Sequence, residues 1–418
     1  MLATQAAVAP PARTPTEAEA EAAARATPVT IVIPALNEAK AIGATLRCVQ
    51  ALDPPPADVI VAVGPSTDAT AELAAAAGAH VVRGGRGRVR ACTLSQFLCR
   101  SHACAAQTQS VQMNAGAVAA LTRRRARGGE GGSAAREASS SEAASSSLSP
   151  PAASSPSAQL AALRCGASDG ALLFLHADTR LPPDALRCVQ LALARRDVVA
   201  GGFVSFPESP HKTWYFQAIH NGALRRRVLL CSAATRVAHT LSVTSVDVCC
   251  SFAVVKTHYL PLLLRPVSYA RGLRVLFGDQ AMFCRAAPFA AVGGFDESVP
   301  LMEDADLCLK LHAHGVRDAS ADAADADDVS TAPGRFRALA PWSRRRRGRV
   351  VQLSRSVGTD GRRFEQWGNA AATRVHFIIG ISWYFLRADA AQMRRIYDRF
   401  YGDMRAHGQP ALPPGTQA

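Results

Sequence analysis

Leu172-Leu173-Phe174-Leu175 is followed at once by His176, Asp178 and Thr179, and then by Pro182-Pro183-Asp184. Four consecutive apolar residues read as a strand buried on both faces, as in the middle of a parallel sheet, and the prolines open a helix. In an open α/β sheet the carboxyl ends of the strands face the ligand crevice. A carboxylate delivered there by a rigid strand suits a divalent cation, which takes hard oxygen ligands. The plainer alternative is that Asp178 caps the next helix. Three more polar groups sit where a strand or loop gives way to a helix: Asn37-Glu38, Ser66-Thr67-Asp68 and Glu303-Asp304. Each is also what a helix N-terminus favours on its own account.

The elements that must position these residues follow from apolar periodicity. Val29 to Ile33 reads as a strand stopped by Pro34, with a helix running to about Leu52. Asp58 to Val63 is a second strand, and Ser66 or Thr67 caps a helix running to Ala77. His80 to Val82 is a third strand. Strand and helix alternating at this spacing predict a parallel α/β sheet. A helix is expected from Gln112-Met113-Asn114-Ala115-Gly116 into Arg123-Arg124-Arg125, and another over Pro183–Arg195. Val198 to Phe206 is a strand whose Gly201 and Gly202 permit a bulge or close backbone approach. Residues 211–228 read as a helix, Phe277 to Phe283 as a turn and strand, and Ala286 to Val292 and Glu303 to His314 as helices. Val350 to Leu353 is a strand, with helices over Arg363–Leu386 and Ala388–Phe400.

The pattern lapses at about 91–111, 124–168, 229–274 and 316–348, read as insertions in a single domain over 28–403. Residues 1–27 and 404–418 read as disordered tails. The Gly/Ser/Ala tract through about Ser157 is low-complexity and longer than a compact domain holds in a loop. Five Asp between Asp318 and Asp328 read as solvated charge, since they lack the Gly and terminal Glu of a calcium loop.

The 418 residues are 48% hydrophobic, ample for a core, and carry a formal net charge of +14 with only four lysines, Lys40, Lys212, Lys256 and Lys310. The arginines lie in short scattered runs without the aromatic interleaving of a single-strand platform, which argues against nucleic acid as partner. Phosphate on a small substrate, or an acidic membrane surface, suits the charge. The 11 cysteines include no C-x-x-C pair and read as buried or incidental thiols. No signal peptide or clean membrane span is legible, so the expected location is cytoplasmic, with peripheral membrane contact as an option.

Ile31-Val32-Ile33-Pro34-Ala35-Leu36-Asn37-Glu38, Ser66-Thr67-Asp68-Ala69-Thr70, His176-Ala177-Asp178-Thr179 and Met302-Glu303-Asp304 together resemble the inverting family 2 glycosyltransferases of the GT-A fold. Gly87-Arg88, Gln112-Met113-Asn114-Ala115-Gly116, Leu175-His176-Ala177-Asp178-Thr179, Gly278-Asp279-Gln280-Ala281, Gly293-Gly294-Phe295 and Met302-Glu303-Asp304 stand in the order of the branch called arsenosugar-biosynthesis-associated. The resemblance implies a Rossmann-like, mostly parallel sheet flanked by helices. It implies transfer of a sugar from a nucleotide-diphosphate sugar, UDP-linked by preference, to a hydroxyl acceptor. Pro34, Asn37, Glu38, Ser66, Asp68, Arg88, Asn114, His176 and Asp178 would line the nucleotide-sugar pocket. Asp178 would also be the metal ligand, for Mg²⁺ or Mn²⁺. Asp304, supported by Glu303, would deprotonate the acceptor, with Gly278, Asp279, Gln280, Arg363 and Trp367 on the acceptor side. The chain differs from the family at Val63, where an acid usually reads the base, and at Pro65, where Gly is common. Two rivals stand beside this reading. One is a nucleotidyltransferase, which would want a Gly-rich, Lys-bearing loop after the first strand. The other is a catalytically impaired relative serving as a membrane-associated scaffold.

Overall fold

The structure, a computed structural model, describes residues 27–83, 109–130, 155–163, 170–208, 265–299, 301–315 and 347–360, with Leu262 and most of 374–406. Its first strand, β1 (Val29–Ala35), is buried along its whole length, as its β-branched run requires. It pairs in parallel with β2 (Asp58–Val63) on one side and β4 (Ala171–Phe174) on the other, and β3 (His80–Arg83) extends the parallel half beyond β2. β7 (Phe283–Arg285) then runs antiparallel to both β4 and β6 (Val198–Glu208). β8 (Arg349–Asp360) lies parallel to β6, and the two-residue β5 (Thr179–Arg180) closes the edge against it. Among the described residues the eight strands follow the order β3-β2-β1-β4-β7-β6-β8-β5.

Alternation along β1 divides the core in two. Val29, Ile31 and Ile33 face α1 (Ile42–Gln50), α2 (Thr70–Ala76) and α5 (Ala185–Ala194). Val32, with Leu172 and Phe174 of β4, faces α3 (Gln109–Glu130), α4 (Pro156–Ala162), α7 (Ala286–Ala291) and α8 (Glu303–His314). α6 (Pro266–Ala270) lies before the site turn, and α9 (Ala390–Ala406) ends the described chain. On the second face Phe174, Phe289 and Phe295 pack ring on ring, Phe174 edge-on to Phe295 with centroids 4.8 Å apart. Gly116 brings α3 down onto the sheet, since any side chain there would run into Val32 Cγ1.

Several expectations need correction. The presumed insertion at 91–111 gives way at Gln109 to α3, which runs on to Glu130, and α4 lies inside the presumed 124–168 insertion with Leu160 fully buried. Their small residues hid an apolar face that only a partner helix makes visible. Within the 229–274 stretch the described residues include Arg265 onward, with Leu273 in the core, and within 316–348 they include Arg347 and Gly348. Gly278–Gln280 is a 3₁₀ turn and the strand begins later, at Phe283. β8 is three times the predicted length because it pairs with β6 along its whole run; the register shifts fall between Val198 and Ala200 and between Gly202 and Val204, while Gly201 and Gly202 themselves pair in register with Val351 and Gln352. α2 has Ala69 at its N-cap position without a side-chain cap, so neither Ser66 nor Thr67 plays that part. The helix expected over 211–228 lies outside the described residues.

Candidate functional site

The carboxyl ends of β1, β2 and β4 share one edge of the sheet, and the loops leaving them are sewn together. Asn37, in left-handed backbone (φ 55°), donates its N–H to Ser66 Oγ at 3.1 Å, and its Oδ1 accepts the Thr67 N–H at 2.8 Å. The Glu38 N–H reaches Thr70 Oγ1 at 2.9 Å. The Asp68 carboxylate accepts the Ala39 N–H at 3.0 Å and the Thr70 N–H at 3.1 Å. Burial acts to raise the Asp68 pKa, but hydrogen bonds from the Thr70 hydroxyl and the Ala39 and Thr70 amides prevail and hold it below the usual carboxylate range. Asp68 therefore clasps the two loops. Asn37 is not a helix cap, since α1 starts only at Ile42 after Ala41. Pro34 lies buried within β1, beneath this clasp.

His176 and Asp178 stand on the turn that joins β4 to β5, closed by the Thr179 N–H to His176 O bond of 3.0 Å. Asp178 is half-buried, and a strand and two prolines separate it from α5, whose N-cap position belongs to Asp184. The capping alternative for Asp178 is thereby excluded. The Gln109 side-chain amide, at the first turn of α3, meets His176 Nε2. Gln112, one turn on, lies against Gly64 at the end of β2. Sequence reasoning missed Gln109 because it fell in a stretch read as insertion.

Opposite this turn lies the second half of the site. A methyl group placed on Gly278 would strike His176 Nε2 and lie 3.0 Å from Asp304 Oδ2, so His176, Gly278 and Asp304 converge on one point. His176 lies more than a hundred positions before the other two in sequence. Glu303 and Asp304, both 8% exposed, occupy the first turn of α8, entered from Met302 in left-handed backbone (φ 68°). Burial first, then the charges of Glu303 and Asp279, push the Asp304 pKa well above the carboxylate range, against a hydrogen bond from the Gly278 N–H. Asp279 is oriented by the Ser205 hydroxyl on β6, which donates to its Oδ2 at 2.8 Å. The non-glycine residues with positive φ among those described are Asn37, Ala281 and Met302, all on this edge. Strained backbone collects at sites that need a fixed geometry.

Two predicted site residues are otherwise engaged. Asn114 is fully buried: its amide donates to Phe295 O and Glu297 Oε1 at 2.9 Å, and its Oδ1 accepts the Phe295 N–H at 3.0 Å. It ties α3 to the turn before α8 and is not open to a nucleotide. Gln280 is likewise buried and bridges Phe277 N–H and Phe203 O, each at 2.9 Å. It shapes the turn rather than facing an acceptor. Arg88, Arg363 and Trp367 lie outside the described residues.

Among the described residues no group of three or more His, Cys, Asp or Glu side chains forms a ready-made cage for a metal ion. The donor set nonetheless fits Mg²⁺ or Mn²⁺ in one manner. Such an ion is held by one or two carboxylates, with substrate phosphates and water completing its sphere, and the Asp178 carboxylate, on the turn after β4, is the group that would supply a hard oxygen.

The glycosyl transferase family 2 model matches residues 30–95, the segment that builds β1, β2, β3 and the clasp. No curated protein matches the chain. Among solved structures, the chain is similar to glucosyl-3-phosphoglycerate synthase from Mycobacterium tuberculosis in complex with Mn²⁺, UDP and glucosyl-3-phosphoglycerate. That likeness is at 13% identity over 90% of this chain and 86% of that one, with a TM-score of 0.35. A complex of the same enzyme with Mg²⁺ and UDP matches at 12% identity over 89% and 84%, with a TM-score of 0.34. Residues 30–95 are thus similar to the glycosyl transferase family 2 model, and they lie in a mixed α/β fold with an eight-stranded sheet among the described residues.

Proposed function

We propose that the chain transfers a sugar from a nucleotide-diphosphate sugar, a UDP-sugar in the first instance, to an acceptor hydroxyl with inversion. The observation that carries this reading is the buried Asp304, facing His176 across Gly278 at the carboxyl edge of the sheet. A general base works best with a pKa near the working pH, and burial beside two other acids moves Asp304 in that direction. Once ionised, it takes the acceptor proton while the acceptor oxygen attacks the anomeric carbon from the face opposite the diphosphate. Glu303 and Asp279 raise its basicity by their charge, and the Gly278 N–H holds its carboxylate in place.

The clasped loops after β1 and β2 form the floor on the nucleotide side, with Asn37, Glu38 and Ser66 along it. His176 lies between that floor and the base. Asp178 is the residue that would hold a divalent cation, which when bound neutralises the leaving diphosphate. The loop after β1, Ala35-Leu36-Asn37-Glu38, has no glycine and no lysine, which disfavours nucleotidyl transfer.

Titration calorimetry with UDP and Mn²⁺, together with product analysis on a panel of sugar nucleotides and acceptors, tests the reading. Wild type should bind UDP only with the cation, and Asp178→Asn should weaken that binding at least about tenfold, the loss of one charged contact. Asp304→Asn should bind UDP normally while transfer falls about 10²–10⁴-fold, the range for a lost general base. No binding and no turnover in wild type would instead favour the impaired scaffold.

A further inference from the structure

α3 begins at the carboxyl edge of the sheet and runs back over β1 and β2. Arg123 fixes its far end, donating through Nε to Asp58 Oδ2 at the start of β2 at 2.8 Å. One turn of the helix rests on the sheet through Gly116, where a methyl group would run into Val32 Cγ1 and lie 3.5 Å from Ala62 Cβ. Gln112, four residues or ~6 Å nearer the helix N-terminus, then comes over Gly64. A methyl group on Gly64 would run into Gln112 Nε2 and lie 3.2 Å from Leu36 Cδ1. Gly64, Leu36 and Gln112 therefore meet at one point, beside the clasped loops after β1 and β2.

Polar groups at this point are few. Val63, Gly64 and Pro65 carry no polar side chain. The Gly64 N–H is spent on Ala35 O at 2.8 Å, and its carbonyl accepts the Ser66 N–H at 2.7 Å. Gln112 is 3% exposed, and its amide makes no hydrogen bond with any described residue. Neither amide atom, however, is among the described polar atoms sealed from solvent without a partner, so the little surface that Gln112 keeps open includes its amide. One oriented polar group on an apolar flank is how ligand pockets fix orientation.

Strand spacing tells which part of a nucleotide reaches this point. β2 and β4 flank β1 on its two sides, so their ends stand ~10 Å apart. Asp178, which would hold the cation and with it the diphosphate, follows β4. The opposite end of the same nucleotide, its base, falls at the end of β2. An amide carries both donors and an acceptor. Turned one way it donates to a uracil carbonyl and accepts from N3–H; turned over, it donates to cytosine N3 and accepts from the exocyclic amine. A carboxylate only accepts, so it suits uracil and faces the cytosine N3 lone pair unfavourably.

We propose that Gln112 reads the edge of the donor's base, and that its amide admits uracil and cytosine alike where a carboxylate would admit only uracil. This rests on the nucleotide-sugar reading above and adds to it the residue that sets base selectivity. Gly64 is part of the device, since only a residue without a side chain leaves the amide its place.

Titration calorimetry of the full chain with UDP and with CDP, each with Mn²⁺, tests the assignment. Wild type should bind the two within about threefold of each other, and Gln112→Leu should lose about tenfold toward both, the worth of one or two neutral hydrogen bonds. Gln112→Glu should raise the ratio of CDP to UDP dissociation constants about tenfold. Gly64→Ala displaces only the far end of Gln112 and the Leu36 methyl, so it should melt as wild type does while losing affinity as Gln112→Leu does. Wild-type affinity for both nucleotides in Gln112→Leu or in a folded Gly64→Ala, an unchanged ratio in Gln112→Glu, or a wild type that already rejects CDP overturns the proposal and leaves the transferase reading standing. A wild type that binds neither nucleotide removes that reading and this proposal together.

Discussion

Asp304 is the residue on which folding and the proposed chemistry pull in opposite directions. Its carboxyl is buried beside Glu303 and Asp279, and its pKa is raised first by that burial and then by those charges. A carboxyl whose native pKa lies above its unfolded value of ~3.9 holds its proton more tightly when folded. Stability is therefore highest below the unfolded pKa and falls as pH rises through the native one. Asp304→Asn, which cannot ionise, should melt a few degrees higher than wild type at neutral pH, the usual sign of a site kept at some cost to stability. Thermal melts between pH 5 and pH 8 should show the gain growing with pH; a variant less stable than wild type at the upper end would contradict this account. Transfer by wild type should rise with pH along a limb lying above the ordinary carboxylate range.

At the scale of elements, Asn114 shows how a motif can be read correctly as important and wrongly as to role. Gln112-Met113-Asn114-Ala115-Gly116 is a packing device: Gln112 on Gly64, Met113 in the core, Asn114 on Phe295 and Glu297, Gly116 on Val32. Glu297 also accepts the Ser157 N–H at 2.9 Å, so one asparagine anchors α3, α4 and the turn leading to α8. Asn114→Ala removes three hydrogen bonds and leaves buried Phe295 groups unpaired, a loss of about 3 kcal/mol. Urea denaturation should show a lower midpoint at unchanged slope. UDP affinity measured below the transition should be unchanged, whereas a selective loss of nucleotide binding would return Asn114 to the pocket.

For the molecule as a whole, the parallel half around β1 and the β6–β8 half meet through the three-residue β7. Gly201 permits that join, since a methyl group on it would run into the Phe283 ring and lie 2.8 Å from Val351 Cγ2 and 2.9 Å from Val351 O. Gly201→Ala should cost about 2 kcal/mol by overpacking, and circular dichroism in urea should register it as one cooperative loss of both halves. A biphasic transition with only the β6–β8 half weakened would show that the two halves fold independently. No described helix is long and apolar enough to cross a membrane, and Phe377, 60% exposed on the apolar stretch before α9, remains a surface group.

The buried runs of β1, β2 and β4, the helices between them and the polar residues at their ends were legible in the sequence, because each depends on periodicity within a dozen residues. The motifs Asn37-Glu38, Ser66-Thr67-Asp68 and His176-Ala177-Asp178 fall at the carboxyl ends of β1, β2 and β4, as their places after apolar runs predict. Tertiary structure alone decided which of those residues meet. The convergence of His176, Gly278 and Asp304, the Gln109 contact, the use of Asn114 and Gln280 as ties, the two-residue β5 and the full length of β8 all rest on partners distant in sequence. Burial and hydrogen-bond satisfaction belong to pairs of elements, and a single stretch cannot specify its partner.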